Sequence, residues 1–104
     1  MIDVGIATVA NQSASVQIGT HAYTFDLHEA NGVMCVSITR DGVALVTGMR
    51  VTGGTPLLPY RYLEGGIGNF ILTVEGDAIP YWDQFNITQF LVYLDADELA
   101  VLRG

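Results

Sequence analysis

The sequence contains no lysine, a single cysteine and three prolines, and only 14% of its 104 residues are charged. Each shortage removes a class of function. Arg40, Arg50, Arg61 and Arg103 are the only fixed cations, and the formal net charge is −7. That sign is wrong for holding phosphate backbones, which need clustered Lys and Arg, so no specific nucleic-acid binding is expected. Without lysine there is no Walker-type phosphate loop either. Cys35 has no second thiol to pair with, which points to a reducing compartment during folding. Set in the apolar run Val33-Met34-Cys35-Val36, it is expected to be a small core residue rather than a reactive thiol. Long apolar runs are missing as well. No window of about 18 residues is free of polar or charged side chains, with Asp26, Arg40, Arg50, Glu75 and Asp83 among those that interrupt the runs, so no helix is expected to span a bilayer. Met1-Ile2-Asp3 opens acidic, with no basic n-region of a signal peptide.

What is present is hydrophobic: half of the residues, in a chain whose length fits one domain spanning residues 1–104. A domain of this size buries somewhat more than about 60% of its unfolded surface, so a real core is feasible. Charged residues are usually roughly 25% of a chain, and small domains have much surface to cover. The deficit points to an exterior partly covered by other subunits.

The dominant pattern has period two, with short runs separated by turn residues, as in half-buried antiparallel strands. Ile2, Val4 and Ile6 open it. Val16 and Ile18 follow a polar stretch at Asn11-Gln12-Ser13, and then Tyr23, Phe25 and Leu27 share one face while Thr24, Asp26 and His28 take the other. Asn31-Gly32 and Asp41-Gly42 tolerate positive φ at both central positions of a type I′ turn. Residues 15–52 therefore read as a four-stranded meander, 15–19, 21–29, 33–40 and 43–52. Met34, Val36 and Ile38 are expected inward on the third strand, and Val43, Leu45, Met49 and Val51 on the fourth.

Residues 53–68 break the rhythm with Gly53-Gly54, Pro56, Pro59, Gly65-Gly66 and Gly68. Leu57, Leu58, Tyr60, Tyr62 and Leu63 are costly to leave in water, so an ordered loop packed on the domain or on a partner is expected. Phe70, Leu72 and Val74 then restore alternation. Phe90-Leu91-Val92-Tyr93-Leu94 is apolar on both faces, as in a central strand covered on both sides. At the end, Asp95 and Glu98 have the spacing of a capping box for a short helix docked by Leu99 and Leu102. The fold class is all-β: a small sandwich or partly open barrel of about seven antiparallel strands with a short C-terminal helix.

Candidate chemistry is thin. His21 and His28 are seven apart on one strand, hence on opposite faces, and cannot share an ion. Asp26 and His28 share a face, but no nucleophile is arranged around them, and a hydrolase using His28 with Asp26 or Cys35 is the remotest reading. Gly66-Ile67-Gly68 lacks the third glycine of a dinucleotide fingerprint, since position 71 is Ile. Asp95, Asp97 and Glu98 lack the glycine and distal glutamate of a calcium loop. Glu75, Asp77 and Asp83 beside Tyr81 and Trp82 form the one cluster with a small-ligand or carbohydrate-binding reading, set against a simpler turn followed by core or interface aromatics. The sequons at Asn11 and Asn86 carry little weight without a secretion signal. No residue is expected to be catalytic or to hold a cofactor or metal.

Val46-Thr47-Gly48-Met49-Arg50 followed by Pro56-Leu57-Leu58-Pro59-Tyr60-Arg61-Tyr62-Leu63, together with Asn11-Gln12-Ser13 and the ending Phe90-Leu91-Val92-Tyr93-Leu94 before an acidic turn into Leu99, resembles the cyanophage-type baseplate plug family of tailed phages and prophages. The resemblance implies a non-enzymatic component of the virion, made in the host bacterial cytoplasm and placed at the tail baseplate. It would pack against baseplate hub, tail tube and spike proteins and help close the central channel. It further implies a homo-oligomer, with a trimer as the first expectation from tail symmetry. Pro56, Leu57, Leu58, Pro59, Tyr60, Arg61 and Tyr62 are the expected interface, because prolines lower the entropy lost on ordering a loop and Tyr and Arg often anchor interfaces.

Overall fold

The computed structural model describes residues 1–103 and shows two antiparallel sheets packed face to face as a sandwich. The larger sheet is the expected meander of β2 (Gln12–Ile18), β3 (His21–Ala30), β4 (Val33–Arg40) and β5 (Val43–Arg50), in sequential order. Its turns follow from local chemistry. Asn31 and Gly32 have φ of 52° and 80°, and Asp41 and Gly42 have 53° and 81°, the left-handed pair that a type I′ turn demands. Gly19, at φ 60°, opens the third two-residue turn, between Ile18 and His21.

The second sheet has the order β1-β7-β6, from β1 (Ile2–Asp3), β6 (Gly68–Thr73) and β7 (Phe90–Asp95). β1 is shorter than the Ile2, Val4, Ile6 alternation implies. The Val4 amide still donates to the Leu91 carbonyl at 2.8 Å, but Gly5 at φ 79° turns the chain away and carries Ile6 into the core. Thr8 then ties this crossing to the far end of the molecule through a 2.6 Å bond to the Phe85 carbonyl.

The core lies between the sheets. Tyr23, Phe25 and Leu27 of β3 and Met34, Val36 and Ile38 of β4 meet Phe70, Leu72, Leu91 and Tyr93. The Phe70 ring is the centre, with Tyr23 and Phe25 edge-on at 4.9 and 4.7 Å and Tyr93 tilted at 5.5 Å. Such pairs add about 0.5–1.5 kcal/mol beyond burial. β7 is apolar on both faces because both are covered. Leu91 and Tyr93 enter the main core, while Val92 and Leu94 join Ile71 and Leu99 in a second cluster under the helix α2 (Ala96–Arg103). The capping box forms as its spacing predicts: Asp95 and Glu98 exchange backbone-to-carboxylate bonds of 3.1 and 2.9 Å.

Four expectations need correction. β2 begins at Gln12 within the polar stretch, because an edge strand needs few apolar residues; the Gln12 carboxamide clamps both backbone groups of Ala7 at 2.8 and 2.6 Å. Val43 points outward, since β5 carries two register shifts against β4 that rotate its side chains off a simple alternation. Cys35 is half-buried on the outer face, opposite His28 and Arg50, because Met34 and Val36 take the inward positions. Leu102 is exposed, and among the described residues Leu99 is the one side chain that α2 buries.

Candidate interaction surface

Residues 53–67 run along the outer edge of β6. Gly54 and Leu57 donate to the Leu72 and Phe70 carbonyls at 2.9 and 2.7 Å, so this segment occupies bonds that another strand would otherwise take. Leu57 and Leu58 turn inward and are each 1% exposed. As proposed contact residues they are therefore corrected to anchors of the loop in its own core, and burying them stabilises by about 1.5–3 kcal/mol each. Pro56 is half-buried, while Pro59, Tyr60, Arg61 and Tyr62 face solvent.

A buried polar cluster holds the loop. Asn69 accepts from the Leu58 amide at 2.9 Å through Oδ1 and from its neighbour Phe70 at 2.7 Å, and donates through Nδ2 to the Leu58 carbonyl and to Glu64 at 2.9 and 2.6 Å. Glu64 closes the network with an ion pair to Arg103 of α2. The Arg103 guanidinium holds the Glu64 carboxyl below the usual range, assisted by Asn69, against burial that pushes it up. From the other side, Arg40 donates to the Leu63 carbonyl at 2.9 Å. Sequence reasoning passed over this cluster. Its signal was a lone Asn in an apolar strand, which must find partners when buried.

The result is a rigidly mounted tip. A single helical turn, α1 (Arg61–Glu64), starts at Tyr60 and ends on Gly65 at φ 61°. It presents Tyr60 and Tyr62 at 60% and 77% exposure, their rings stacked 5.6 Å apart with planes within 10°. Arg61 lies beside them and shares a surface hollow of about 350 Å³ with Ala96, Ala100 and Arg103 of α2. Exposed, ordered aromatics around an arginine are the composition of interface anchors.

The other sequence candidates disperse. His21 pairs with Asp41 at 2.6 Å, tying two hairpin turns together, and the Ala22 amide with that imidazole lowers the Asp41 pKa. Asp26 and His28 lie opposite Ser37 and Cys35 on the outer face of the large sheet, with no hydrogen bond joining His28 to Cys35 among the described residues. Tyr81 and Trp82 pack against the core, and the Tyr81 hydroxyl donates to Glu29 at 2.8 Å, so that ring is committed to the fold. Glu75, Asp77 and Asp83 are exposed around them. Among the described residues no helix is long and apolar enough to cross a membrane.

The class that the fold defines is the all-β sandwich, here with one braced loop that presents aromatic side chains to solvent. Comparison gives the family: the model described as cyanophage baseplate Pam3 plug gp18 matches residues 1–97, and the chain belongs to that family of phage baseplate components. None of the curated proteins compared with the chain matches it.

Proposed function

We propose that this protein is a non-enzymatic structural part of a contractile-tail baseplate, which packs against hub, tube and spike proteins and helps to close the central channel. Its contact surface is the tip Pro59, Tyr60, Arg61 and Tyr62, with Pro56 at its base. The observation that carries this reading is the mounting of the stacked tyrosines. Two large rings are left in water on a loop that a network reaching from β6 to α2 holds in place, an exposure that gains nothing for the isolated fold. A preorganised tip loses little entropy on docking, so its area converts well into affinity. The excess of carboxylates, where it faces the channel, repels DNA and lets it slide. Synthesis is in the cytoplasm of the bacterial host, before assembly.

The test is the double substitution Tyr60→Ala with Arg61→Ala. The isolated protein should melt within a few degrees of the parent, because exposed substitutions change stability by about 0.5 kcal/mol or less. Incorporation into tails, read by mass spectrometry of purified particles, should fall sharply. A large drop in melting temperature with normal incorporation would contradict the assignment.

A further inference from the structure

The geometry points to a second contact, independent of the loop tip: β2 pairs with β2 of another copy of this chain across a twofold axis. The four outer strands of the sandwich differ in how their free edges are guarded. β6 is covered by residues 53–57 through the Gly54 and Leu57 bonds. β1 is only two residues long. β5 has two register shifts and ends in Arg50, the irregularity and charge that keep an edge from templating another strand. β2 has none of these. It pairs with β3 through seven consecutive positions without a shift, and Gln12-Ser13-Ala14-Ser15-Val16-Gln17-Ile18 holds no charge and no proline.

The two-residue turn fixes which backbone groups are free. Ile18 and His21 flank it and form a hydrogen-bonded pair, so Val16, Ala14 and Gln12 bond to β3 and the groups of Ser13, Ser15 and Gln17 point outward. Among the described residues nothing pairs with them. The occupant follows from charge and symmetry. A second copy also carries −7, so two copies meet most cheaply along a strip free of charge, and β2 is such a strip. Centred on Ser15, an antiparallel β2–β2 pair overlaps all seven residues and sets Ser13 opposite Gln17, with Ser15 opposite itself. On the inner face Ala14 then lies against Val16, covering two side chains that the isolated sandwich leaves half-buried. Because β5 is guarded, pairing stops at two copies instead of growing into a filament.

Sedimentation velocity from roughly 1 µM to 1 mM, the span in which a strand-sized contact shows itself, should reveal a monomer–dimer equilibrium. Ser15→Pro removes an amide that faces away from β3, so the fold tolerates it, and it deletes two intermolecular bonds; the dimer should weaken roughly thirtyfold. Ser15→Lys sets like charges face to face on the axis and should act in the same direction. In the parent, the Ser13, Ser15 and Gln17 amides should exchange more slowly at high concentration than at low. A parent that stays monomeric to 1 mM, or a dimer that both Ser15 variants leave intact, overturns the proposal. If Ser15→Pro unfolds, Ser15→Lys and the concentration dependence of exchange decide it alone.

Discussion

The two sheets are built by opposite strategies. In the larger one every strand pairs with its sequence neighbour through a two-residue turn, so its register is set locally by Gly19, Asn31-Gly32 and Asp41-Gly42. The smaller one brings Ile2 to Tyr93 and Gly68 to Asp95, and its outer edge is held by the backbone amides of Gly54 and Leu57 and the side chain of Asn69, not by turns. Local pairings close short loops at low entropic cost, whereas distant ones need extra adhesive, here the Asn69–Glu64–Arg103 cluster. The display loop sits on the sheet that depends on that cluster, so its position rests on three polar side chains as well as on the burial of Leu57 and Leu58.

Breaking the cluster should have the largest effect. Asn69→Leu keeps the branched shape, in a bulkier side chain, but leaves the Leu58 backbone and the Glu64 carboxylate short of partners; stability should fall by about 3 kcal/mol, a drop of ~15 °C in Tm. Exchange should accelerate first at the Leu57 and Leu58 amides. A loss under about 1 kcal/mol would mean that packing of Leu57 and Leu58 holds the edge without the cluster. On the turn-built sheet, Gly32→Ala forces a Cβ into a φ of 80° with open space around it, so only backbone strain is at issue, and the cost should be about 1 kcal/mol by denaturant titration. Acid gives the smallest effect. Since the Glu64 carboxyl is lowered in the folded state, its contribution is full above its ordinary value of 4.5 and drains away as pH falls through the lower folded value. Arg103→Gln should flatten that acid limb of a Tm-against-pH curve while leaving the neutral plateau only slightly lower.

The same contrast explains what the sequence reveals. Asn31-Gly32, Asp41-Gly42 and the Tyr23, Phe25, Leu27 alternation state the meander directly, and Asp95 with Glu98 states the helix start, because each is a short-range rule. The order of the smaller sheet has no such signature: nothing near Ile2 announces a partner some ninety residues away. Cys35 misleads because an apolar neighbour run does not say which face of β4 is covered. The proposed contact loop is half legible. Tyr60, Arg61 and Tyr62 stand out by type, but that Leu57 and Leu58 point inward depends on Asn69 drawing the Leu58 backbone down, a contact between residues eleven apart.

The outward placement of Cys35 has a practical yield. In a chain without lysine, a half-open thiol on the outer face of β4 is a unique chemical handle, set away from both the inward core and the free edge of β2. Two nitroxide labels there, one per chain in a β2-paired dimer, would lie about five strand spacings across and about eight residues along, roughly 35 Å apart, which makes the thiol a molecular ruler for electron-spin distance measurement.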